Sequence, residues 1–233
     1  MSQPSILPRR TGLFRTAIAI AWKDLRAELR SRETVLGMAV FALLSVLLFS
    51  FSLELDKGGR EASASGVLWV TLIFAGTLGL GRSLSRERDQ NNLDGLMLLP
   101  TDRSAIFFGK LISNFVTMGA VAVLLLPFVS ILLDTSFFRP LFAVILILGI
   151  LGYAGVGTLI ASISVYSRGR EVLLPVLLLP IALSILIPAV RATRGLLQGI
   201  PFDEMVVWFN LLFATNGIYL TLAYMLFEYV VEE

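Results

Sequence analysis

The stretch PLFAVILILGILGYAGVGTLIASISVYS, residues 140–167, holds no charged side chain between Arg139 and Arg168. A helix needs roughly 20 apolar residues to cross the hydrocarbon core of a bilayer, and this window exceeds that length. Five more uncharged windows lie on either side of it, at residues 34–53, 62–81, 111–133, 172–190 and 205–227. A charged side chain at the bilayer midplane costs about 2.5–3.5 kcal/mol on insertion scales, so the charges between windows mark membrane edges. The reading is an all-α membrane protein with six transmembrane helices.

Composition agrees with that reading. Hydrophobic residues make up 56% of the chain and charged residues 15%, well under the ~25% of a soluble domain. The polar stretches between windows are too short to build a core of their own, so the 233 residues read as one transmembrane domain. Met1 to Arg10 are polar, and no cleavable signal peptide is expected. The absence of Cys and His excludes disulfides, thiolate metal sites and a Cys nucleophile, and it removes the commonest general base.

The charges also give a direction. Fourteen basic residues precede the first window or separate the second from the third and the fourth from the fifth; the other side carries five. Basic residues concentrate on the cytoplasmic side, so both termini are expected there.

Residues 11–33 place Phe14, Ile18, Ala21, Trp22, Leu25 and Leu29 at helical spacing, with Arg15, Lys23, Asp24, Arg26, Glu28 and Arg30 mostly elsewhere. This predicts an amphipathic helix lying in the cytoplasmic interface. A plain positive flank that sets topology is the simpler alternative. The gap 82–110 begins with charges, turns apolar at Leu93, Leu96, Met97, Leu98 and Leu99, and breaks at Pro100. Such a segment suits docking into a groove of another protein. It equally suits a solvated loop whose Leu cluster packs on the membrane face, and the residues alone leave both open. The glycines Gly76, Gly79, Gly81, Gly149, Gly152, Gly155 and Gly157 read as close helix packing in lipid. Pro127, Pro175, Pro180 and Pro188 fall inside spans three and five, where kinks are tolerated.

Catalytic motifs are missing. The phrase FFGK at residues 107–110 is not a P-loop, because Ser104 and Leu111 stand where that motif needs Gly and Ser or Thr. The window centres hold no ionisable group, which argues against a proton- or ion-coupled pump. Lys110 is expected to snorkel from the cytoplasmic end of its span. Without His or Cys, only Met or Tyr remain as common haem ligands, and Met118, Met205 and Met225 read as packing residues. Energy for any transport should therefore come from another chain.

The residues resemble a known family. AWKDLRAELRSRE (residues 21–33) resembles the start of haem exporter protein B, the CcmB family of the cytochrome c maturation system. RERDQNNLDGLMLLPTDRSAIFFGKLISN (residues 86–114) resembles that family's acidic loop ending in a Leu-rich run and Pro. Asp94 stands where the family commonly has Glu; Asn91 and Asn92 stand where it has Gly and a small residue. LLPVLLLPIALSILIPAV (residues 173–190) resembles its fifth span. The resemblance covers nearly the whole chain in the right order.

It implies a type-2 ABC exporter permease fold, with residues 11–33 as the connecting (elbow) helix and a coupling helix within 85–99 that docks on a cytoplasmic ATPase. Arg86, Glu87, Arg88, Asp89 and Asp94 would orient docking, while Leu93, Leu96 and Met97 would anchor it. Residues 191–204 would cap the extracytoplasmic side as a partly re-entrant helical piece. The implied partners are a CcmA-like ATPase, a CcmC-like haem-handling membrane subunit, a small CcmD-like subunit and a CcmE-like haem chaperone, with two copies of this chain. ATP would be bound by the ATPase and haem handled by the complex. No cofactor, metal or nucleic acid is expected on this chain, and its expected place is the bacterial inner membrane. The implied role is to couple ATP hydrolysis to release of the haem-loaded chaperone. Two alternatives are a type-2 permease for a drug, lipid or polysaccharide, and a membrane scaffold without ATPase.

Overall fold

The structure is a computed structural model that describes residues 12–52, 57–89, 103–164 and 170–230. Among the described residues seven helices follow in order: α1 (Leu13–Ser31), α2 (Glu33–Ser52), α3 (Lys57–Asp89), α4 (Arg103–Leu132), α5 (Pro140–Ser164), α6 (Arg170–Leu197) and α7 (Phe202–Val230). The last six are each long and apolar enough to cross a bilayer. The expectation of six spans and an all-α chain is borne out.

Helices α3 and α5 form the buried centre, and both are covered along most of their apolar lengths. Helices α2, α4, α6 and α7 surround them and leave Leu48, Phe51, Ile131, Phe213 and other large apolar side chains exposed. Lipid solvates such surfaces as well as a protein core would. In the centre, Trp69 donates its indole N–H to Thr193 Oγ1 at 2.9 Å. The Tyr153 hydroxyl lies 2.6 Å from Thr77 Oγ1 and 3.0 Å from the Ile73 carbonyl. These buried polar groups are paired, as a low-dielectric interior demands.

The glycines are packing slots. A Cβ on Gly149 would lie 2.1 Å from the Trp69 ring, and one on Gly157 would lie 2.4 Å from Leu80. The absent side chains let α3 approach α5 at those two levels.

Three boundaries differ from the sequence reading, and in each a charge misplaced the edge. Span three was expected from residue 111, but α4 begins at Arg103 and carries Lys110 inside it. Span five was expected to end at 190, but α6 continues through Arg191 and Arg194 to Leu197. The re-entrant piece expected at 191–204 is absent. Gly199 at φ +70° ends the helix, with Ile200 N–H bonded to the Gly195 carbonyl at 2.9 Å and Gly199 N–H to that of Leu196 at 3.2 Å. This is a Schellman turn, which needs only a left-handed glycine. Helix α7 then starts at Phe202. Basic groups suit a helix C-terminus and acidic ones an N-terminus, so Arg194, Asp203 and Glu204 sit at helix ends without breaking them. Arg191 also lies over the Trp208 ring at 5.8 Å, and Arg139 donates to the Leu196 carbonyl.

The junction between α1 and α2 is tight. Arg32 takes a left-handed conformation, φ 57°, and α2 starts at the next residue. Glu28 Oε1 accepts the backbone N–H groups of Thr34 and Val35, both at 2.9 Å. A carboxylate from α1 thus caps α2, satisfying two donors that the helix itself cannot. Glu28→Ala should destabilise the protein by about 0.5–2 kcal/mol; Glu28→Gln, which keeps an acceptor, should cost less. Thermal unfolding of the purified variants in detergent reads the difference.

Candidate functional site

The residues expected to form the interfacial helix fall on α1. Phe14, Ile18, Trp22 and Leu29 are exposed, and Leu25 is half-buried. A different face of α1, through Ala17, Ile20 and Ala21, is buried, chiefly against α4. A Cβ on Gly109 would lie 2.7 Å from Ile20 Cβ and 2.9 Å from the Ala17 carbonyl, so glycine sets that close approach. Helix α1 therefore has two apolar faces, one on the bundle and one, with Trp22 and its neighbours, free to meet lipid.

Four of the expected docking residues, Arg86, Glu87, Arg88 and Asp89, form the last turn of α3. This extension leaves the bundle at the α1 end, because Arg82 Nη1 donates to the Glu33 carbonyl at 2.9 Å. Gly37 makes room for that guanidinium: a Cβ there would lie 2.1 Å from it. Leu93, Asp94, Leu96 and Met97 lie outside the described residues.

Sequence reasoning missed a crevice with mixed polar and apolar walls at the same end. It has a volume of about 160 Å³ and lies between α1, α2, α3 and α4. Helix α4 contributes a stripe of Lys110, Ser113, Asn114 and Thr117 to this crevice and the smaller pocket beside it. These residues stand at i, i+3, i+4 and i+7, one face of a helix. Helix α1 faces them with Asp24 and Glu28, and α3 with Ser83. Lys110 does not snorkel as expected: its side chain is only 8% exposed, and its Nζ lies 3.8 Å from Asp24 Oδ2. Asp24 also takes Lys23 at 3.2 Å. Asn114 Nδ2 donates to Thr158 Oγ1 at 2.9 Å, tying α4 to α5. Residues of mixed charge suit small polar species, and the volume falls below the roughly 300–1,000 Å³ of small-molecule pockets.

The Asp24–Lys110 pair spans α1 and α4. Removing one partner leaves a desolvated charge, whereas removing both does not. Lys110→Met should lower stability by about 1–3 kcal/mol, and adding Asp24→Asn should recover part of that loss. A double-mutant cycle on unfolding in detergent measures the coupling.

An amphipathic helix followed by six helices long and apolar enough to span a bilayer defines a polytopic α-helical membrane protein. Residues 15–231 match the family model described as CcmB protein, and the chain belongs to the CcmB family. It is 29% identical over 187 residues to heme exporter protein B of Rhodobacter capsulatus, covering 79% of this chain and 85% of that protein. It is 22% identical over 187 residues to heme exporter protein B of Pseudomonas aeruginosa, covering 80% and 84%. Heme exporter protein B of Escherichia coli K12 is 26% identical over 96 residues, covering 41% of this chain and 44% of the relative.

Proposed function

We propose that this chain is the permease subunit of a haem exporter complex in the bacterial inner membrane, driven by a partner ATPase. The observation that carries the reading is the family match along residues 15–231, whose relatives bear the name heme exporter protein B. Both termini lie in the cytoplasm, and so does the α1 end of the bundle; the fourteen-to-five bias of basic residues supports that direction. The ATPase docks on the segment that continues α3. Arg86, Glu87, Arg88, Asp89 and Asp94 orient it, and Leu93, Leu96 and Met97 anchor it.

ATP binding closes the ATPase pair and draws this segment with it. Differential contacts of the ATPase with two bundle states supply the energy. Helix α3 transmits the pull directly, because one helix runs from the docking side through the buried centre. This chain contributes no haem ligand. Haem is cargo of the complex, held by a haem-handling membrane subunit and passed to a periplasmic chaperone, and two copies of this chain serve one complex with a small accessory subunit. The output is release of the chaperone in its haem-loaded form.

The test is to delete the gene and follow the chaperone. Haem-loaded chaperone should accumulate in the membrane fraction and c-type cytochromes should be lost. The wild-type chain should restore both. Normal chaperone release without this chain would overturn the reading.

A further inference from the structure

The Asp24–Lys110 pair borders two adjoining cavities. Lys110 lines the smaller pocket, and Asp24 lines the larger crevice beside it, whose walls mix Ser83, Ser113, Asn114 and Thr117 with apolar Met38, Leu80 and Met118. Methionines close its inner end, with Met38 on α2 beside Gly79, and Met118 on α4 beside Gly76. Its α1 side bears Lys23, which is half exposed, and Ala27, which is exposed. From Lys110 to Thr117 a helix rises about 10 Å, so the polar stripe reaches about a third of the way across a ~30 Å hydrocarbon core. A cavity of about 160 Å³ has room for several waters, and polar walls with two or more partners each retain water.

We infer that the crevice between α1 and α4 is a water-filled inlet opening at the α1 end and reaching Thr117, with the Asp24–Lys110 pair as the latch that holds α1 against the bundle. Two physical points support a movable latch. The pair is long, 3.8 Å, and one partner, Asp24, is shared with Lys23. When the pair separates, Asp24 keeps its contact with Lys23 and Lys110 still faces the hydroxyl and amide groups of Ser113 and Asn114, which lowers the cost of parting. Below the latch, α1 contacts α4 through apolar surface at Ile20 and Gly109, which can act as a pivot. The inference deepens the proposed coupling, since it gives α1 a defined way to swing when the ATPase side moves.

The chain has no Cys, so a single introduced cysteine is the only thiol this chain contributes, and labelling is read on this chain after the subunits are separated. Ser113→Cys, Asn114→Cys and Thr117→Cys should react with a small, charged, membrane-impermeant methanethiosulfonate in inside-out vesicles of the assembled complex. Leu125→Cys, fully buried eight residues deeper than Thr117, should stay unlabelled. Lys110→Met should change the labelling rate at Asn114→Cys, whereas a latch without influence on the inlet would leave it unaltered. Protection of all three positions from both membrane faces, or an unaltered rate in the Lys110→Met background, would overturn the inference. Labelling from the periplasmic face alone would leave the inlet standing and overturn the cytoplasmic placement of α1 instead. Each variant is first checked for assembly by size-exclusion of the detergent-extracted complex, and for Thr117→Cys the smaller Thr117→Ser serves as the folding control.

Discussion

Leu96→Asp with Met97→Asp should abolish recovery of the ATPase with this chain. Both side chains are large and apolar, and they follow the charged end of α3 in sequence. A buried Leu or Met contributes about 1.5–3 kcal/mol on leaving water. Losing two such anchors removes about 3–6 kcal/mol, or roughly two to four powers of ten in affinity. The two carboxylates would add a desolvation cost on top. The spans should survive, because residues 96 and 97 fall in sequence between the end of α3 and the start of α4. Affinity purification followed by quantitation of the ATPase reads the effect. Unchanged recovery would mean that the segment after α3 does not dock an ATPase.

Gly149→Leu should prevent folding of the bundle. A single Cβ at this position already lies 2.1 Å from Trp69 Cη2 and 2.5 Å from Cζ3. Trp69 is fully buried and pinned by its hydrogen bond to Thr193, so the ring cannot turn aside without orphaning a buried hydroxyl. Overpacking a tight core costs typically 1–3 kcal/mol, occasionally more, and Leu adds three further carbons beyond that Cβ. Even Gly149→Ala should lower the unfolding temperature. Trp69→Phe should partly rescue Gly149→Ala by freeing space, and fluorescence-detected size-exclusion of the four proteins separates these outcomes. Wild-type stability in Gly149→Leu would show that α3 and α5 do not meet as described.

Much of the architecture was legible because lipid imposes a simple demand: long uncharged helices. The windows at 34–53 and 140–167 fall close to α2 and α5 for that reason. Where the reading strayed, it treated every charge as an edge. Lys110 lies within α4 because Asp24 accompanies it, and that partner comes from another helix. Arg191 and Arg194 lie within α6 because aromatic contact and the helix C-terminus accommodate them.

The site was less legible. The spacing of Lys110, Ser113, Asn114 and Thr117 was visible in the sequence as a polar stripe, yet a stripe on one helix does not say what faces it. Asp24, Glu28 and Ser83 meet it only because Gly109 draws α1 onto α4 and Arg82 draws α3 to the start of α2. Of the residues expected on the interfacial face of α1, Phe14, Ile18, Trp22 and Leu29 are exposed. The second, buried face of α1 takes Ala17 and Ile20 together with Ala21, which the spacing had grouped with Phe14 and Trp22, because a single helical period does not separate two apolar faces.

Purification of the chain from native membranes, with identification of every co-purifying protein, tests the central claim most directly. The predicted result is an ABC ATPase together with haem-handling membrane subunits. An ATPase without haem-handling subunits would contradict the haem exporter assignment, and recovery of no ATPase would contradict the permease role itself.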